Sequence, residues 1–83
     1  MTWKIEYRKQ AYNFLKQAYL ISETEEEIIR FIRGDKRDVK RLKGKWQNCL
    51  RLRIGKVRVI FKIDTDRYFI EIVRAGFRGK IYK

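Results

Sequence analysis

Residues 50–63 read Leu50-Arg51-Leu52-Arg53-Ile54-Gly55-Lys56-Val57-Arg58-Val59-Ile60-Phe61-Lys62-Ile63. Leu50, Leu52 and Ile54 alternate with Arg51 and Arg53. Beyond Gly55-Lys56, Val57, Val59, Phe61 and Ile63 alternate with Arg58, Ile60 and Lys62. A period of two belongs to a strand, whose successive side chains point to opposite faces, and a Gly-Lys pair between two such runs is a two-residue turn. The stretch therefore predicts a hairpin with an apolar side and a basic side. If the apolar side packs on the rest of the chain, Arg51, Arg53, Arg58 and Lys62 share the other face.

The flanking residues extend this frame in both directions. On the C-terminal side, Asp64-Thr65-Asp66 forms a turn and 68–74 reads as a strand. Ala75-Gly76 breaks the chain before a last extended piece over 77–82. On the N-terminal side, 3–7 alternates apolar and charged residues as a half-buried strand does. Ala11, Phe14, Leu15, Ala18 and Tyr19 make one apolar stripe of a helix over about 8–19. Ser22 with Glu25 three residues on reads as a capping box, so a second helix starts near Glu23 with Glu23, Glu25, Glu26 and Glu27 at its positive end. Its inward face is Ile28, Ile29, Phe31 and Ile32, and Gly34 takes the left-handed cap. Residues 35–45 form a basic connecting loop carrying Lys36, Arg37, Lys40, Arg41, Lys43 and Lys45, with Val39 and Leu42 as apolar anchors. The order β-α-α-β-β-β-β predicts one α+β domain spanning 1–83: an N-terminal strand, a helical hairpin, then an antiparallel sheet with both helices on one face.

Composition narrows what such a domain does. Twenty-two Lys and Arg against 10 Asp and Glu give a net charge of +12, which points to a polyanionic partner: nucleic acid, ribosome, acidic protein or anionic membrane. No run of about 18 apolar residues is present, and no apolar leader follows Met1-Thr2-Trp3-Lys4, so a cytoplasmic location away from the membrane is expected. The lone Cys49 forms no internal disulfide, and a chain without histidine offers no Cys/His zinc set. Neither metal nor small-molecule cofactor is expected. Acid–base work falls to Lys, Arg, Tyr, Asp or Glu, because the usual imidazole is missing.

Arg51, Arg53 and Arg58 on the hairpin, Arg74 and Arg78 bracketing Ala75-Gly76, and Tyr82 four residues after Arg78 make the candidate chemical cluster. A guanidinium is planar, permanently charged and bidentate toward phosphate. A group of them can hold an RNA backbone and stabilise the extra charge of a pentacoordinate phosphorus transition state. Arginines alternating with aliphatics also describe an ordinary solvated strand, and it is the net charge that weighs against that reading. Glu71 is expected as a counter-ion to one of these arginines, Trp46 as an apolar lid and Cys49 as a small filler.

Lys43-Gly44, the 50–63 run, Gly76-Phe77-Arg78 and the terminal Tyr82 together resemble the RelE/ParE toxin superfamily nearly end to end. What the resemblance implies is the toxin of a type II toxin–antitoxin system. Of the RelE type, it would be a metal-independent, ribosome-dependent endoribonuclease that cuts mRNA by attack of the ribose 2′-hydroxyl on the adjacent phosphate. Carried onto this chain, it implies catalytic roles for Arg58, Arg78 and Tyr82, and basic RNA-holding positions at Arg51 and Arg53. Lys62 and the loop cations Lys40, Arg41, Lys43 and Lys45 join them as expected RNA contacts. Phe77 stands where many relatives carry His or Lys. The implied partners are a cognate acidic antitoxin, lying across the basic face and the helical hairpin, and the ribosome with its mRNA. Two rivals share these features: a ParE-like, non-catalytic inhibitor of DNA gyrase, and a basic RNA-binding module. The second would want exposed strand aromatics for base stacking, and these are sparse.

Overall fold

The computed structural model describes residues 2–81. Strand β1 (Lys4–Tyr7) leads into helices α1 (Lys9–Gln17) and α2 (Ile21–Ile32). Strands β2 (Val39–Arg41), β3 (Leu50–Ile54), β4 (Val57–Asp64) and β5 (Phe69–Phe77) follow, with a single 3-10 turn at Gly44–Trp46. The strands form one sheet in the order β1-β5-β4-β3-β2. Both helices cover one face, where Ala11, Leu15 and Ile28 meet Leu52, Val59, Phe61, Ile70 and Ile72 in a fully buried core. Each large side chain there contributes about 1.5–3 kcal/mol by leaving water. The expected α+β architecture is present. Among the described residues, no helix is long and apolar enough to cross a membrane.

The sheet is mixed rather than wholly antiparallel. β1 runs parallel to β5, Ile5 opposite Ile70 and Tyr7 opposite Ile72. The helical hairpin explains this, since it carries the chain across one face from the β1 edge to the β2 edge. The later strands then fold back in antiparallel steps until β5 arrives beside β1. β2 lies within the stretch read as a connecting loop, its Val39 opposite Leu52.

The helix junction is tighter than the sequence suggests. Tyr19, at φ 59°, ends α1 while its N–H donates to the Lys16 carbonyl and the Leu20 N–H to the Leu15 carbonyl. That pair of bonds is the Schellman closure, and α2 begins at once, at Ile21. Ser22 therefore lies inside the helix and caps nothing; Leu20 holds the N-cap position with no side-chain cap bond. Gly34, at φ 100°, closes α2 as expected, with its N–H on the Phe31 carbonyl and the Asp35 N–H on the Arg30 carbonyl.

β5 does not break at Ala75-Gly76 but runs through it, Ala75 opposite Val59 and Gly76 opposite Arg58. The register shifts between Ile60 and Phe61: Ile60 faces Arg74 and Phe61 faces Ile72, so Val73 is an extra residue on β5. A bulge of this kind puts two successive residues on one side, and here they are Val73 and Arg74, turned away from the helices. After Phe77 the chain turns, the Lys80 N–H reaching the Phe77 carbonyl, instead of continuing as a strand. Ile81 folds back onto the face without helices. There it joins Cys49, Ile60 and Val73 in a second, smaller core sealed by Leu42 and Trp46. Trp46 and Cys49 are thus the lid and filler that the sequence suggests.

Candidate nucleic-acid interface

The antiparallel ladders align the charges of the helix-free face in rows. Arg53, Arg58 and Gly76 are opposite one another across β3, β4 and β5; Lys40, Arg51, Ile60 and Arg74 form the next row. Beyond the β3–β4 turn, the Arg78 N–H donates to the Lys56 carbonyl, which places those two residues at the end of the same face. Rows along a strand repeat roughly every 7 Å, and neighbours within a row sit about 5 Å apart at Cβ. Arg51, Arg53, Arg58 and Arg78 are therefore brought together, and Lys40, Lys56 and Arg74 join them. Among the described residues, Asp38 is the acidic group that pairs within this set.

Arg58 is the most enclosed cation, 8% exposed. Gly55 begins the turn at φ 57°, a conformation suited to glycine, and its carbonyl accepts from Arg58 Nη1 at 3.0 Å, with the Val57 carbonyl at 3.4 Å. The turn thus holds one nitrogen of the guanidinium. Arg58, Arg78, Gly55, Lys56 and Phe77 line an open cavity of about 480 Å³, ample for a phosphate group. Phe77 supports that wall from beneath by an edge-on contact with Phe14 of α1, ring centres 5.2 Å apart.

Asp38 is the residue that the sequence did not single out. Its carboxylate accepts from Arg51 Nη2 at 2.9 Å and from Arg53 Nε, and its carbonyl accepts from the Arg53 N–H at 3.0 Å. Arg74 enters the site because of the bulge. Arg51 and Arg74 flank Ile60, and each has a buried Nε that meets no acceptor among the described residues.

Other expected contacts lie elsewhere. Lys62 is opposite Glu71 and borders a groove with Asp64 and Asp66, two residues along β4 from the Ile60 row and on the far side from Arg58. Glu71 itself pairs with Arg8 at 2.9 Å rather than with a strand arginine of the cluster. Arg41 is opposite Leu50 and so points to the helix side of the edge strand. Lys43 and Lys45 are exposed at the 3-10 turn, with Lys45 Nζ 5.8 Å from the centre of the Trp46 ring. Arg37 is held in a two-pronged pair by Glu27 of α2, at 2.9 and 2.7 Å. Tyr82 lies outside the described residues; its neighbour Ile81 is packed on this face. The described phenol with a displaced pKa is Tyr7, on the helix side. Burial, then its hydrogen bond to Glu25 and that carboxylate's charge, push it well above the usual tyrosine range. It ties β1 to α2 and takes no part in the basic face. No cluster of three metal-ligating side chains occurs among the described residues.

No family model and no curated protein matches the sequence. Solved structures do match. RelE in the archaeal RelE–RelB complex from Pyrococcus horikoshii superposes with a TM-score of 0.68 at 26% identity, over 96% of this chain and 99% of that one. The heterotetrameric YoeB–YefM toxin–antitoxin complex from Staphylococcus aureus gives 0.71 at 16% identity, over 94% and 99%. The YoeB/ParE toxin from Agrobacterium tumefaciens gives 0.71 at 14% identity, over 90% and 98%. With two helices on one face of a five-stranded mixed sheet and a match covering nearly the whole of both chains, this protein has the RelE-like toxin fold.

Proposed function

We propose that the chain is the toxin of a type II toxin–antitoxin pair and cleaves mRNA on the ribosome, without a metal, by 2′-hydroxyl attack. The observation that carries the reading is the arginine row itself: Arg53 and Arg58 side by side across the hairpin, with Arg78 closing the same cavity. Arg58 and Arg78 share the charge that builds on the phosphate oxygens, and a guanidinium already oriented by the Gly55 carbonyl does so with little reorganisation. Arg51, Arg53 and Lys40 hold the neighbouring backbone. Lys43 and Lys45, with Arg41 and Lys62 at the margins, add contacts of the kind that position RNA without reading its bases. Tyr82 moves the protons, taking one from the attacking hydroxyl or giving one to the leaving oxygen. An acidic antitoxin covering this face supplies the neutralising partner, in keeping with the toxin–antitoxin complexes among the structural neighbours.

Primer extension on messages translated in a cell-free system tests the reading. Added protein should produce new 5′ ends within translated regions, with no metal beyond the magnesium that the ribosome itself requires, and Arg58→Gln should abolish them. Uncut messages together with inhibition of DNA supercoiling by purified gyrase would refute it in favour of the ParE-like activity.

A further inference from the structure

Asp38 is the one acidic side chain that contacts the arginine rows among the described residues, and its two oxygens bind the groups that a phosphate would bind. Carboxylate and phosphate oxygens make the same charge-assisted bonds to guanidinium, so each donor given to one is withheld from the other. We propose that Asp38 is an internal anion that masks Arg51 and Arg53, and so sets how tightly this face holds RNA. The proposal rests on the reading that the face binds RNA phosphates.

Three observations show that the mask is built in rather than incidental. The Asp38 carbonyl is bonded to the Arg53 N–H, which fixes the residue at the end of β2 against β3. Arg37, immediately before it, is clamped by Glu27 of α2, and Val39, immediately after it, is paired with Leu52. Arg51, with its side chain only 14% exposed, is held where its carboxylate partner lies within 2.9 Å. An aspartate restrained on both sides cannot swing away with a loose loop. RNA entering the face meets two guanidiniums and one carboxylate, a local charge of about +1 where the arginines alone would present about +2. For a protein of net charge +12, weakening contacts that any RNA could make favours the site that also offers Arg58, Arg78 and the correct geometry.

Fluorescence anisotropy of a labelled oligouridylate against the full chain, over a range of salt concentrations, tests this. Asp38→Asn keeps the size of the side chain and removes its charge. It should bind about tenfold more tightly at low salt, with a log–log salt slope steeper by about 0.7–1.4, the increment for one or two further phosphates neutralised on a single strand. Asp38→Glu, which retains the charge, should stay near the wild-type slope. A residue that only braces β2 would lower the melting temperature without steepening the slope. Asp38→Ser serves if the Asn variant does not fold. Wild-type affinity and slope in a folded neutral variant would overturn the proposal. Weaker binding would overturn it too, by showing that Asp38 presents the arginines instead of masking them. A wild-type chain with no salt-dependent affinity for the oligouridylate would instead refute the RNA-binding reading of the face.

Discussion

Ile81→Ala should release the end of the chain from the sheet while leaving the main core intact. Ile81 is 1% exposed and packs with Cys49, Ile60 and Val73. Its Cβ lies 3.6 Å from where a side chain would begin on Gly76, so the glycine opposite Arg58 provides its seat. Truncating a buried isoleucine costs about 2–5 kcal/mol when nothing fills the space. Here the loss need not be paid by global unfolding. Past β5 the segment is tied by the Arg78 N–H on the Lys56 carbonyl, at 3.4 Å, and the Lys80 N–H on the Phe77 carbonyl, at 3.1 Å. Local opening is therefore the cheaper response. A loss of about 2 kcal/mol multiplies the detached population by roughly 30, at 1.4 kcal/mol per tenfold change. Hydrogen exchange at the Lys80 amide reads that population directly, and its protection should fall by about this factor. The thermal midpoint should move much less than in Phe61→Ala, which empties the centre of the main core. On the proposed mechanism RNA cleavage should fall with the Lys80 protection, since Arg78 lies in the released segment. Wild-type exchange at Lys80 in a folded Ile81→Ala protein would refute the reasoning, because Ile81 would then not be what seats the segment.

Further outcomes follow from other parts of the molecule. Tyr82→Phe should remain folded and bind antitoxin, yet lose cleavage by about two orders of magnitude or more, the scale of a lost acid–base group; undiminished cleavage would shift the proton transfers to other residues. Changing Lys40, Arg41, Lys43 and Lys45 together to Gln should flatten the salt dependence of RNA binding, and an unchanged slope would make them solvated surface. The raised pKa of Tyr7 comes first from burial and then from Glu25, and its sign favours the protonated phenol in the folded state. The stability it confers is complete below the ordinary tyrosine pKa of about 10 and is lost as pH rises beyond it. Melting temperatures followed upward from about pH 9 should fall more steeply for the wild type than for Tyr7→Phe, and superimposable profiles would remove Tyr7 from the alkaline transition.

The residues whose neighbours are set by local periodicity were legible from the sequence. Leu50, Leu52 and Ile54 had to face the helices once they alternated with arginines, and the ladder places Arg53 and Arg58 opposite each other as the two-residue turn requires. What was not legible depends on partners distant in sequence. Alternation over 3–7 says that β1 has one buried side but not that its neighbour is β5, so the parallel pairing stayed hidden. Nothing in the basic run 35–45 singles out Asp38, because its pairing with Arg51 and Arg53 exists only once β2 takes its register on β3. The capping box at Ser22 failed because Tyr19 accepts the left-handed conformation that the sequence would assign to a glycine, which moves the start of α2 two residues earlier. The bulge, by contrast, leaves a signal in the sequence. Ile70 and Ile72 face the helices, strict alternation would bury Arg74 beside them, and a charged residue at that parity calls for a bulge.

That bulge connects folding with the chemistry of the face. Without Val73 as an extra residue, Arg74 would enter the apolar core, where an unpaired guanidinium costs several kcal/mol. With it, Val73 packs on Ile60 and Ile81 while Arg74 completes the row that starts at Lys40. The same segregation extends to the carboxylates of α2. Glu23, Glu25, Glu26 and Glu27 all lie on α2, on the other side of the sheet, where Glu25, Glu26 and Glu27 engage Tyr7, Arg30 and Arg37. Charge that would otherwise neutralise the arginines is committed to holding the helical layer together. The part of the helix-free face that holds the arginine rows keeps a concentrated positive field, moderated among the described residues by Asp38, in keeping with the polyanionic partner proposed above.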